Sequence, residues 1–295
     1  MLTPDIHQLF GEMNDGVKHF ELTAEPVKQE ILEGVYMEGW GYNGSIPGPT
    51  LVVNPGDKVS IRVNNQLPEP TSVHWHGLDI PEKADGGVEL QPSPSIEPGQ
   101  YYDYEFTVIN SPGAHMYHTH YNPMKQQMMG LAGGFIIKEK DDQVDEDYLL
   151  LLQEFALKEL EHGKLEEGTY QVNPHSHQFN FYTINGRCFP HLSPMEVRKG
   201  DQIRVRLGSI GHSPHPMHIH GHQFTIENQD GNPLPEALKM ERNSVTLSPG
   251  ETFDILIKAN NPGEWPFHCH TPHHMSNNGT EGHGGMMTSL KYLIS

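Results

Sequence analysis

The chain has 295 residues, 21 of them His and only 2 Cys, with 19 basic and 38 acidic side chains and a formal net charge of −19. Two cysteines exclude a disulfide-stapled scaffold and a cysteine-rich zinc module. The acidic balance argues against nucleic acid or an anionic membrane surface as a partner. With 30 Gly, 24 Pro and 35% hydrophobic residues, the composition suits many short strands joined by turns.

The start, Met1-Leu2-Thr3-Pro4-Asp5, shows no cationic or apolar leader pattern. No apolar run approaches the roughly 18 residues of a membrane span. The expectation is a cytoplasmic protein unless an export signal has been removed. Residues 1–30 precede the first repeat and are expected to form an N-terminal extension. From Ile46, "IPGPTLVVNPGDKVSIRVNNQ" alternates apolar and polar residues around Gly56-Asp57, which predicts two strands and a tight turn. His74-Trp75-His76-Gly77 and His118-Thr119-His120 follow. "CFPHLSPMEVRKGDQIRVRLG" from Cys188 then repeats the first pattern around Gly200-Asp201. Behind it come "HPMHIHGH" from His215 to His222 and "HCHTPHH" from His268 to His274.

The spacing is nearly constant. Gly56-Asp57, His74 and His76 recur as Gly200-Asp201, His218 and His220 at an offset of 144. Pro112-Gly113, His118 and His120 recur as Pro262-Gly263, His268 and His270 at 150. Such regularity marks a duplication. The expected architecture is all-β: two tandem Greek-key β-sandwich domains, 31–140 and 141–295. The acidic segment Asp141-Asp142-Gln143-Val144-Asp145-Glu146-Asp147 is the expected boundary.

Residues two apart on a strand point the same way, so each H-x-H pair projects both imidazoles to one face. Four pairs supply eight imidazoles, more than one tetrahedral ion needs, and imply a multinuclear site. Cys269, between His268 and His270, must face the other way. With His215 and His274 it completes a His₂Cys set, the ligand set of a blue-copper centre. A zinc hydrolase would leave Cys269 and the surplus of imidazoles unexplained. Protonated His cannot ligate, so metal loading is expected to fail at acid pH.

These four motifs, in this order, resemble the multicopper oxidases, and the sandwich repeats resemble cupredoxin domains; with two domains the chain looks like the laccase-like two-domain branch. The resemblance implies four coppers per chain equivalent. His74 and His218 would bind the type 2 copper. His76, His118 and His270 would bind one type 3 copper, and His120, His220 and His268 the other. His215, Cys269 and His274 would bind the type 1 copper. In the repeat alignment, Cys269 falls on Thr119 and His215 on Thr71, so the first domain is expected to hold no blue-copper centre. Copper nitrite reductase, whose blue site lies in its first domain, resembles the chain less for that reason.

Family spacing puts the axial type 1 ligand at Gly279, which has no side chain. The loop Met275–Gly285 looks seven residues longer and ends in Gly285-Met286-Met287. Met286 is the expected axial ligand, with Met287 or none as alternatives, and His273 competes with His274. Asp85, eleven residues after His74, stands where the family has an acidic residue that assists protons. Its alternative role is a turn Asp before Gly86-Gly87. Met275 occupies the position after the type 1 histidine where the family often has a carboxylate. Met116, Met124, Met128 and Met129 are core filling or a cuprous-ion patch. Cys188 is expected to be a free thiol, and His175, His177 and His283 surface residues or weak metal ligands.

The implied activity is an oxidase. A donor gives up single electrons near His274 or its neighbour, Cys269 passes them to His268 and His270, and O₂ is reduced to water. Phenols and aromatic amines are the first substrate class. A metal-ion oxidase acting on Cu(I), Fe(II) or Mn(II) and a non-catalytic copper-binding protein are the alternatives. The resemblance also implies a homotrimer with trinuclear clusters between subunits, because a heterologous interface that closes makes a ring.

Overall fold

The computed structural model describes residues 2–140 and 143–293. Asp141 and Asp142, where the boundary is expected, lie outside the described residues. Strands take 49% and helices 5% of the structure, as the turn-rich composition predicts. Four sheets carry them. The first runs Gln8–Leu9, Gly48–Val53, Ala132–Ile137, Gly113–His118 and His74–His76. It faces a sheet ordered Gly168–Gln171, Val35–Tyr42, Val17–Leu32, Lys58–Asn65 and Tyr101–Thr107. Leu51, Trp75, Tyr117 and Phe135 from one and Leu22, Met37, Ile61 and Tyr104 from the other close a single apolar core.

The second pair repeats the plan. Phe181–Ile184, Glu146–Phe155, Gln202–Ser209, Thr252–Lys258 and Phe224–Gln229 form one sheet, and Met195–Val197, Met287–Tyr292, Glu264–Cys269, His215–Ile219 and Ser244–Leu247 the other. Their core holds Leu150, Val205, Met217, Ile255, Phe267 and Cys269. A smaller apolar cluster joins the two sandwiches, with Ala114, Met116, Ala132 and Ile136 against Leu149, Leu151 and Ile210. No helix of the described residues is long and apolar enough to cross a membrane.

Two features differ from the expected layout. Residues before 31 are not an appendage: Val17–Leu32 lies between Val35–Tyr42 and Lys58–Asn65, pairing with both. Its strict alternation buries Phe20, Leu22 and Ala24, so removing it would strip the outer sheet of an inner strand. The second half also reaches back, since Gly168–Gln171 pairs with Val35–Tyr42 and extends the first sandwich.

The histidine strands occupy the same register in both sandwiches. His74 is the cross-strand partner of His118, and His218 of His268. The duplicated sequence thus places duplicated imidazole pairs at matching positions on two antiparallel ladders, on the face turned away from each core.

Candidate metal centres

In the first sandwich, Trp75 is fully buried while His74 and His76 flank it on the opposite face. The His74 ring lies 5.9 Å from His76, 5.4 Å from His118 and 5.6 Å from His120, centroid to centroid. His76 Nδ1 and His118 Nε2 are 3.1 Å apart. His118 Nδ1 donates to the Thr119 carbonyl at 2.9 Å, which leaves Nε2 as a bare lone pair, because a carbonyl only accepts. Burial pushes His118 down to about 3 and also lowers His76. Both are therefore neutral near pH 7, the state that ligates. One ring nitrogen from each of His74, His76 and His118 lies within 4.8 Å of the others.

Asp85 reaches this group through both its ends. Its carbonyl is 2.9 Å and its carboxylate 3.3 Å from His74 Nδ1. The turn alternative holds at the same time: Gly86 has φ +85°, and a Cβ there would stand 1.9 Å from the Val73 carbonyl. Gly86→Ala is expected to push Asp85 off His74 and to weaken metal binding about 10–100-fold, as lost outer-shell partners do. Copper content after dialysis against a chelator series checks this.

The second sandwich repeats the arrangement. His218 Nδ1 donates to the Asn243 carbonyl at 2.7 Å and His268 Nδ1 to the Cys269 carbonyl at 2.9 Å. His220 Nε2 and His268 Nε2 are 3.0 Å apart. The His270 ring lies 5.6 Å from His218 and 5.7 Å from His268. His222, whose ring follows in the same motif, bonds the Tyr292 hydroxyl at 2.7 Å and the His220 carbonyl at 3.1 Å instead of joining the group.

The two groups do not meet within one chain. Among the described residues, no ring contact or hydrogen bond joins the His74 group to the His218 group. The His74 group lines a cleft of about 320 Å³ whose other wall is Ser209, Ile210, Pro249 and Gly250.

On the far face of the Glu264–Cys269 strand, a third group converges. Cys269 Sγ is 3.4 Å from His274 Nδ1 and 4.0 Å from His215 Nδ1, and the two Nδ1 atoms are 3.2 Å apart. All three side chains are buried. Two imidazole nitrogens and a thiol facing one point in an apolar core fit a copper ion of the blue type. Met286 is fully buried in the same core, and its backbone bonds both Cys269 and His274. Met287 is the cross-strand partner of His268 and only half-buried. Gly279 sits in the left-handed region against His162, away from these groups. Tyr182 stacks on His274 at 4.0 Å and 20°, so His274 is only 4% exposed. The neighbouring His273 is exposed, with its ring 4.5 Å from His274.

Glu154 escaped the sequence reading. It is 1% exposed, and its Oε2 lies 3.2 Å from His215 Nε2. Burial opposes its charge, but His215 and the N–H groups of His212 and Ser213 hold it below the ordinary carboxylate range. The available signal was an acid inside the apolar run Leu149–Phe155. Gln126 also escaped. In the first sandwich it accepts from Thr71 at 2.8 Å and Thr119 at 2.7 Å, so a neutral network without thiol or imidazole occupies the place equivalent to Cys269 and His215. Met116 and Met129 fill cores, whereas Met124 is exposed. Cys188 is buried, and burial pushes its thiol up. His177 packs its ring 4.9 Å from His212, and His175 is exposed.

Sequence profiles described as multicopper oxidase match residues 23–142 and 159–282. The chain is similar to the crystal structure of blue copper oxidase from Nitrosomonas europaea, with TM-score 0.80 and 30% identity over 93% of this chain and 85% of that one. It is similar to the multicopper oxidase mgLAC, with TM-score 0.80 and 29% identity over 93% of this chain and 86% of that one. Multicopper oxidase mco of Staphylococcus epidermidis is 32% identical over 83% of this chain and 54% of its own length. The chain thus spans about half the length of the first curated relatives it matches.

Proposed function

The chain belongs to the multicopper oxidase family, and from that premise we propose that it is a two-domain, laccase-like oxidase working as a homotrimer. The observation that carries the assembly is the separation of the two histidine groups within one chain. Each group offers half of the eight imidazoles and leaves one side open. A head-to-tail ring in which the His74 group of one subunit meets the His218 group of the next would complete three clusters by closed symmetry.

Copper bound at these residues would supply one-electron chemistry, taking electrons singly at the His215–Cys269–His274 group and passing four of them to dioxygen at the histidine cluster. The chain's own part is connection and proton supply. Cys269 links the two sites through one peptide, because its carbonyl accepts from His268 Nδ1 while its sulfur faces His215 and His274. Asp85, touching His74 and half-exposed, can carry protons between solvent and the cluster.

Phenols and aromatic amines are the first donor class. Oxidation of Cu(I), Fe(II) or Mn(II) is the second, favoured by the burial of all three His₂Cys ligands behind Tyr182 while the imidazole of His273 stays exposed beside His274. The net charge of −19 also attracts cations. Oxygen uptake by the copper-loaded protein, with a phenol and with Cu(I) side by side, separates these classes. Uptake with neither donor leaves the non-catalytic copper-binding reading.

The ring itself has a direct test. His76→Ala and His268→Ala subunits are each expected to be inactive alone. Unfolded together and reassembled, random mixing should restore about a quarter of the interfaces, since only one neighbour order joins two intact halves. Activity no higher than either parent would rule out clusters between subunits.

A further inference from the structure

Among the described residues, Glu154 is the buried carboxylate that touches a proposed copper ligand from outside the motifs. It ends the strand Glu146–Phe155, and the His212–Ser213 turn wraps its side chain. Oε1 accepts the N–H groups of His212 and Ser213 at 2.5 and 2.6 Å, and Oε2 lies 3.2 Å from His215 Nε2. Gly211 allows this closeness, because a Cβ there would stand 1.8 Å from Oε2.

Two backbone N–H donors converge on Oε1 and an imidazole nitrogen faces Oε2, an arrangement that suits a carboxylate accepting at both oxygens. The bond also fixes the tautomer. With its hydrogen kept on Nε2, the neutral, ligating form of His215 has its lone pair on Nδ1, toward Cys269 and His274.

Resting on the copper reading above, we propose that Glu154 is a positioning residue that holds the His₂Cys centre at a lower reduction potential than a neutral residue would, selecting strongly reducing donors such as hydroquinones over weakly reducing simple phenols. Reduction adds one electron and removes one unit of positive charge beside a fixed negative one. In a dry core that charge favours the oxidised state, and the carboxylate makes His215 a more basic ligand. No proton needs to move for the electron to arrive.

The experiment compares copper-loaded wild type, Glu154→Gln and Glu154→Asp by redox titration of the visible absorption band. In Glu154→Gln the band persists and the ratio of reduced to oxidised centre at a fixed potential rises about tenfold, a positive shift of about 59 mV for one electron. Glu154→Asp keeps the charge and titrates closer to wild type. The preference for a hydroquinone over a simple phenol, as a ratio of kcat/KM values, falls in Glu154→Gln only. A Glu154→Gln band that titrates with wild type overturns the proposal. Should that variant fail to bind copper, pulsed electron paramagnetic resonance of the oxidised wild type decides. The remote nitrogens of His215 and His274 must differ, and equivalent nitrogens overturn the proposal. Wild type that takes up copper without any blue band fails at the underlying reading, and the role of Glu154 falls with it.

Discussion

Cys269→Ser is expected to abolish the blue absorption band and to take oxygen uptake to background with every donor. The substitution keeps the shape of a fully buried side chain and removes the soft thiolate, for which a hydroxyl is no substitute as a copper ligand. The sulfur lies 3.4 Å from His274 Nδ1, and its own backbone carbonyl is bonded to His268. One residue therefore belongs to both metal groups, and its loss removes a ligand from one and the link to the other. The histidine cluster itself should still load copper, because its imidazoles lie on the other face of the strand. Metal analysis is expected to show a partial loss while activity is lost completely. Cys188→Ser serves as the control. That thiol is buried against the Tyr182 carbonyl and its replacement should leave the band in place. A blue band surviving in Cys269→Ser would sink the assignment.

The parts of this site that were legible in the sequence are those encoded by local periodicity. An H-x-H pair states its own geometry, because alternate residues on a strand share a face. The duplication adds the register, and His74 opposite His118 and His218 opposite His268 are the outcome. The opposite facing of Cys269 follows from the same rule. Glu154 follows no such rule. It stands 61 residues before His215 and reaches it only because Glu146–Phe155 pairs in parallel with Gln202–Ser209. A parallel crossover leaves no spacing signature of its own. Tyr182 covers His274 for a similar reason, through the antiparallel pairing of Phe181–Ile184 with the same strand. The alternation of Val17–Leu32 is plain, but the strand lies ahead of the repeated stretch, so the duplication assigns it to no sheet.

The second large effect is expected in Arg206→Leu, which should cost about 3–5 kcal/mol, the usual consequence of stripping one partner from a buried ion group. Arg206 is fully buried, and burial works against its charge. It stays charged because Asp147 accepts at 2.8 and 3.0 Å, Asp254 at 3.0 Å and Glu139 at 2.7 Å. These acids come from different elements. Asp147 and Asp254 lie on the strands flanking Gln202–Ser209, and Glu139 follows the strand Ala132–Ile137 of the first sandwich. The cluster therefore ties the sandwiches together beside the apolar contact that includes Met116 and Ile210, which also border the His74 cleft. A loss of this size corresponds to roughly 5–8 °C in Tm for a cooperative chain of 295 residues.

The pH dependence fixes the cause. In the wild type, burial raises the Asp254 carboxyl from its ordinary 3.8 to about 6; Arg206 pulls it down, while Glu139 and Asp147 push it up. Without the guanidinium it must rise further. A carboxyl raised in the folded state costs nothing below its ordinary value, costs more as pH climbs to its folded value and levels off above it; wild type and variant pay alike up to about 6, and only the variant's penalty grows beyond that. The Tm gap between Arg206→Leu and wild type, measured on copper-free protein so that metal linkage does not enter, should therefore be smaller at pH 5 than at pH 8. Adding Asp147→Leu and Asp254→Leu to Arg206→Leu should recover much of the loss, since the three fully buried charges are then replaced together and the part-exposed Glu139 keeps Arg204 as its partner at 3.2 Å. A gap unchanged by pH and by those additions would instead assign the loss to packing around the Arg206 stem.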